Sequence, residues 1–225
     1  IRRQRQMCIR DRNITWADNR SSRYADLIEN EYNGFEIYQR TGTPLHPMSP
    51  LSKIFWMKHE QPAIYNQTAK FADIKTYIFY QLFGKYVIDY SMASATGMFN
   101  LGQLDWDEKA LKLLGISRDQ LPELVPTTHI LTGMKKRFAE LMDIDENTPV
   151  VVGASDGVLS NLGVNSYKKG EVAVTIGTSG AIRTVINKPR TDYKGRIFCY
   201  VLDDEHYVIG GPVNNGGVIL RWLRD

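Results

Sequence analysis

Residues 149–157, PVVVGASDG, and 174–180, VTIGTSG, decide the fold. In the first, an apolar run ends on glycine and an acid opens the short apolar helix expected from Asp156 to Val164. In the second, a β-rich run enters a turn holding two glycines and two hydroxyls. Strand into helix and strand into tight turn describe an α/β protein, in which the carboxyl ends of strands face a ligand crevice. Asp156 is therefore placed to act on a substrate, or else only caps its helix. Exposed N–H groups at Gly177-Thr178-Ser179-Gly180 suit phosphate oxygens, or else form a plain hairpin turn. A third small-residue stretch, Gly210-Gly211-Pro-Val-Asn214-Asn215-Gly216-Gly217, allows close approach to a ligand or another strand, or is a loop.

Around these motifs, further strands are expected at 171–175, 181–186, 197–202 and 207–209, and a final helix begins after Gly217. Upstream the chain reads as helices. Ser49-Pro50 starts one with Leu51, Ile54 and Phe55 inside. Asp73 caps a second with the stripe Ile74, Tyr77, Ile78, Gln81 and Leu82, stopped by Gly84. Asp105 and Glu108 resemble a capping box for a third that buries Leu111 and Leu114. A fourth, about 133–142, turns Phe138, Leu141 and Met142 inward. The polar stretch 143–148 marks a boundary between parts 13–147 and 148–225.

Of the 225 residues, 43% are hydrophobic and 24% charged, which excludes collagen, coiled coil and disordered tail. No apolar run approaches the roughly 18 residues of a membrane span. Residues 1–12, IRRQRQMCIRDR, hold five arginines and one aspartate, +4 of the chain's net +3, so the remainder carries −1. That segment reads as non-native, and the basic balance does not indicate a nucleic-acid partner. Two isolated cysteines, Cys8 and Cys199, fit a reducing cytoplasm.

The order of the motifs carries more than any one of them. An acid at a strand end, a Gly-Thr-Ser turn, and a Gly-Gly loop leading to Arg221-Trp222 resemble the second domain of the FGGY carbohydrate kinases, with their actin-like, ribonuclease H-like ATPase fold. Thr15-Trp16-Ala-Asp18-Asn-Arg20, Pro50-Leu-Ser-Lys53-Ile-Phe-Trp56, Asp89-Tyr-Ser-Met-Ala-Ser94, Leu104-Asp-Trp-Asp-Glu108 and Leu121-Pro-Glu-Leu-Val-Pro126 resemble that family's first-domain landmarks, in order. Within the family, residues 41–50 and 153–156 are most similar to its gluconate-phosphorylating members.

The resemblance implies two domains, both incomplete here, and phosphorylation of a sugar acid, D-gluconate, by ATP with Mg2+. Asp156 matches the catalytic base. Gly177 and Thr178, with Ser179, match the turn for the terminal phosphates, Gly217 the nucleotide-side loop, and Arg221 the adenosine side. Trp16, Asp18 and Met48 match the sugar pocket, and no residue is assigned to a metal. His46 is a rim group for the carboxylate or a bystander, Arg20 pairs with that carboxylate or with Asp18, and Lys53 is expected to be a solvated helix residue. Trp56 and Trp106 are expected to pack. The family's opening Asp-x-Gly-Thr/Ser phosphate loop is not found, so an internal fragment is expected, from a protein that forms a homodimer. Alternatives are another polyol or ketose kinase such as a xylulokinase, or a non-catalytic sugar-binding relic.

Overall fold

The computed structural model describes residues 14–15, 17–168, 170–177, 180–213 and 216–224, with backbone alone at 218, 220 and 221. The segment 1–12, with Cys8, lies outside the described residues, as do Trp16, Thr178 and Ser179.

Helices α1 (Ser22–Glu31) and α2 (Gly34–Thr41) bury Tyr24, Ile28, Ile37 and Tyr38. Helix α3 (Pro50–Glu60) forms as its sequence dictates: the Ser49 hydroxyl accepts from the Ser52 N–H, and Leu51, Ile54 and Phe55 are buried. After α4 (Pro62–Gln67) comes α5 (Ile74–Phe83), where the Asp73 carboxylate accepts from the Thr76 N–H and Gly84 ends the helix. Strand β1 (Val87–Asp89) runs into α6 (Tyr90–Ser94), capped by Asp89. Strands β2 (Phe99–Asn100) and β3 (Asp105–Trp106) pair antiparallel ahead of α7 (Glu108–Leu114). Strand β4 (Glu123–Val125) lies parallel to β1. Then follow β5 (Ile130–Leu131), α8 (Lys136–Met142), β6 (Val150–Val151), antiparallel to β5, and α9 (Asp156–Gly163). Strands β7 (Val172–Ile176), β8 (Gly180–Ile186), β9 (Phe198–Val201) and β10 (Tyr207–Val213) form an antiparallel sheet in the order β7-β8-β10-β9, before α10 (Val218–Arg224).

The main core joins the early helices to the late sheet. Ile28, Leu51, Phe55, Phe99, Trp106 and Leu114 pack in one cluster with Cys199, Val201 and Tyr207. Hydrogen bonds stitch the same seam: the Tyr38 hydroxyl donates to the Ile197 carbonyl at 2.7 Å, the Cys199 N–H to Gly42 at 2.8 Å, and the Val201 N–H to Ser94 Oγ at 3.0 Å. Burial pushes the Cys199 thiol up to about 11, which leaves it a packing residue with little thiolate character. A smaller cluster of Val158, Val185, Phe198, Leu202 and Val208 seats α9 on the sheet.

Several expectations require correction. On α5 the buried face is Thr76 and Phe79, whereas Ile74, Tyr77 and Ile78 are exposed. Thr76 faces inward because its hydroxyl bonds both Asp73 and the Val87 carbonyl, so no polar group is stranded. On α8, Ala139 faces the core and Leu141 is 81% exposed, because a small residue lets the helix backbone lie close. Asp107, not Asp105, caps α7, accepting from Ala110, while Asp105 is taken by Arg118 at 2.8 Å. The strand expected over 149–153 is only Val150–Val151. Gly210 to Val213 continue strand β10. There a Cβ at Gly210 would stand 2.4 Å from the Ile182 carbonyl oxygen, so the glycine serves approach to a neighbouring strand.

Candidate active site

The turn between β6 and α9 carries the acid. Val152 is buried, Gly153 takes the left-handed conformation at φ 71, and Ser155 caps α9 by accepting from the Val158 N–H. Ser155 therefore does the capping for which Asp156 was the alternative candidate. Asp156 is the first helical residue and is exposed, and one of its oxygens accepts from the Gly157 N–H at 2.6 Å. An exposed carboxylate at the start of a helix can accept a proton from a substrate hydroxyl.

Two groups from the first part of the chain reach this turn. Ser91, in α6, accepts from the Ser155 N–H at 3.2 Å and stands 3.4 Å from its hydroxyl. Lys75, in α5, bonds Asp89 at 2.6 Å and the Ala154 carbonyl at 3.4 Å. Asp89 is fully buried, and that burial raises its carboxyl above the ordinary range despite the ammonium beside it.

The second element is the β7–β8 hairpin. Ile176, at the end of β7, pairs with Gly180, at the start of β8. The Gly217 N–H donates to the Gly177 carbonyl at 2.6 Å, which brings together two of the residues singled out in the sequence. Arg221 lies in α10. Thr178 and Ser179 fall outside the described residues.

The sugar-side candidates gather around α3. Asp18 is gripped by Arg20, at 2.6 Å and 2.8 Å, and the Arg20 guanidinium lies 5.0 Å from the Trp56 ring centre. Burial pushes the Asp18 carboxyl up, but its hydrogen bonds and charge contact with Arg20 outweigh this and hold it below its ordinary value. Met48, in the turn just ahead of α3, is 40% exposed, and the His46 Nδ1 accepts from the Met48 N–H at 3.2 Å. Trp106 is core, and Trp56 packs against it half-buried.

Lys53 is not the solvated helix residue expected from the sequence. It is only 7% exposed, and its Nζ donates to the Thr15 carbonyl at 2.6 Å. Burial lowers its pKa, partly offset by Asp18. Lys75, Ser91 and Asp89 were also missed as site-forming residues. The Asp89-to-Ser94 landmark was the sequence signal for Asp89 and Ser91, and Lys75 had none. Among the described residues no group of three or more His, Cys, Asp or Glu is placed to hold a metal.

With this geometry in view, likeness to known proteins is informative. Residues 9–163 match the model of the FGGY family of carbohydrate kinases, N-terminal domain. The chain belongs to the FGGY family of carbohydrate kinases. It is 65% identical to the gluconokinase of Bacillus subtilis (strain 168) over 212 residues, covering 94% of this chain and 41% of that protein. It is 29% identical to a glycerol kinase of Thermococcus onnurineus (strain NA1), covering 43% of that protein. A gluconate kinase from Lactobacillus acidophilus superposes with a TM-score of 0.91 at 41% identity, over 94% of this chain and 43% of that one. A structure described as ligand-bound xylulose kinase from the same organism superposes with a TM-score of 0.92 at 41% identity, over the same shares. The fold is the actin-like ATPase fold of these kinases, and the chain spans about two-fifths of the length of its relatives.

Proposed function

We propose that the protein is an ATP-dependent sugar-acid kinase that converts D-gluconate and ATP into 6-phosphogluconate and ADP. The observation that carries this reading is Asp156, an exposed carboxylate at a strand-to-helix turn whose capping is already done by Ser155. The 65% identity to a gluconokinase supports gluconate as the substrate.

In this reading Asp156 accepts the proton of the sugar hydroxyl as that oxygen bonds the γ-phosphorus and the bond to ADP breaks. Gly177, Thr178 and Ser179 hold the terminal phosphates, Gly217 supports the turn, and Arg221 lies on the adenosine side. Trp16, Met48 and Asp18 form the sugar pocket. Asp18 keeps lone pairs for polyol hydroxyls beyond those used by Arg20. The Mg2+ that accompanies ATP would be held by the nucleotide's own phosphate oxygens and would neutralise their charge, and no described residue is assigned to it, Asp156 being kept for the proton. Residues 13–147 would supply the sugar side and 148–225 the base and phosphate turn, in a cytoplasmic homodimer. Among the described residues no helix is long and apolar enough to cross a membrane.

The test is a substrate panel on the complete open reading frame carrying these residues, with ADP release as readout. Gluconate is expected to give the highest kcat/KM. The xylulose kinase likeness favours a second reading, and a maximum on D-xylulose would establish it.

A further inference from the structure

We propose that Lys75 and Ser91 are positioning residues that lock the turn carrying Asp156 onto helices α5 and α6, and so set the place of the catalytic carboxylate. The proposal rests on the reading of Asp156 as the base.

Asp156 is exposed and accepts from the adjacent Gly157 N–H, so its position follows the backbone of 153–156. The chain leading into that backbone is fixed by main-chain bonds from Val152 to His129 and from Gly153 to Thr127, both at 2.9 Å, which end before the acid. The next two residues are held by side chains. Lys75 reaches the Ala154 carbonyl, and Ser91 meets both the N–H and the hydroxyl of Ser155. Ser155 is in turn the cap of the helix whose first residue is Asp156.

The two tethers form a single block. Fully buried Asp89 grips Lys75 with one oxygen at 2.6 Å and the Met92 N–H, in the first turn of α6, with the other at 2.9 Å. Lys75 and Ser91 therefore cannot shift independently of β1. The tether bonds themselves are long, 3.2–3.4 Å, against the usual range of about 2.7–3.2 Å for N–H donors. Such bonds add little to stability, while catalytic hydrogen bonds characteristically tighten once substrate is present. Their loss should be felt more in turnover than in folding.

The experiment uses the complete open reading frame, with kcat and KM measured for gluconate and ATP. Ser91→Ala removes one tether without disturbing a charge. Lys75→Met removes the other, and Lys75→Arg restores a cation within reach of Asp89 and Ala154. Ser91→Ala and Lys75→Met are each expected to lower kcat roughly tenfold or more with KM unchanged, and Lys75→Arg to recover most of it. In an Asp156→Asn background the same substitutions are expected to add no further loss. Should Lys75→Met fail to fold, because Asp89 is left buried without its cation, Ser91→Ala and Lys75→Arg decide the matter. Unchanged kcat in Ser91→Ala, or an equal loss with and without Asp156, overturns the proposal alone. Full turnover in Asp156→Asn overturns the base reading and the proposal with it.

Discussion

Asp156 and Ser155 are neighbours with separable duties, and replacing each in turn tests the assignment. In Asp156→Asn the amide oxygen can still accept the Gly157 N–H now bonded at 2.6 Å. The helix loses only the attraction between an exposed, solvent-screened charge and its N-terminus, about 0.3 kcal/mol. Ser155→Ala removes the cap, which costs about 1 kcal/mol, along with the Ser91 hydroxyl contact. For a chain of this size about 1 kcal/mol corresponds to a Tm shift of roughly 2–4 °C. Loss of a general base lowers turnover by about 10²- to 10⁴-fold. Asp156→Asn is thus expected to melt within a degree or two of the parent, roughly, and to lose nearly all activity. Ser155→Ala should melt lower and keep measurable activity. Circular-dichroism melts and coupled ADP release on gluconate measure both in the same preparations. The reasoning fails if Asp156→Asn keeps more than about a tenth of the turnover, or if it melts as far down as Ser155→Ala.

Other expectations follow from the packing. Burial raises the Asp107 carboxyl, but hydrogen bonds from Arg40, Ala110 and Asn100 win and hold it below its ordinary value. The unfolded chain therefore takes up its proton first as pH falls, and the stability Asp107 contributes, complete above pH 3.8, drains away as pH drops through the lowered folded value. Asp107→Asn should cost about 1–3 kcal/mol at neutral pH and flatten the acid limb of a pH-dependent urea melt. Gly210→Ala should destabilise by about 1–3 kcal/mol, because its Cβ meets the Ile182 carbonyl, and a denaturation midpoint equal to the parent's would contradict that. Phe99→Ala, at a fully buried site, should cost about 3–5 kcal/mol. Leu141→Ser should stay within about 0.5 kcal/mol, and a larger loss would mean that α8 is covered in solution.

What was legible in the sequence was local. Ser49, Asp73 and Gly84 fix helix ends through contacts three or four residues away, so these boundaries could be read directly. Which helix face is buried depends on distant partners. Thr76 turns inward for a carbonyl on β1, and Ala139 is preferred to Leu141. Asp105 and Asp107 both suit a cap by spacing, and Arg118, from a later turn, decides between them. Asp156 was legible as an acid at a strand end, but its freedom from capping depends on the geometry of Ser155. Lys53 defied the rule that lysines are solvated, because its ammonium finds a carbonyl 38 residues back in the chain.

The seam between the early helices and the late sheet also governs how the chain can be made. Ile28 and Phe55 share a cluster with Val201 and Tyr207, so the ribosome releases one side of that core long before the other exists. At about 5–20 residues per second, the stretch from α7 to β10 takes roughly 5–20 s to emerge, and for that interval the core built on α1 and α3 lacks the cover that Cys199, Val201 and Tyr207 supply. Pairings of such sequence separation also form slowly once the chain is complete. Synthesis should therefore be sensitive to chaperone supply, more so than the finished protein, and slowing translation between residues 114 and 198 should lower soluble yield while leaving the specific activity of the soluble fraction unchanged.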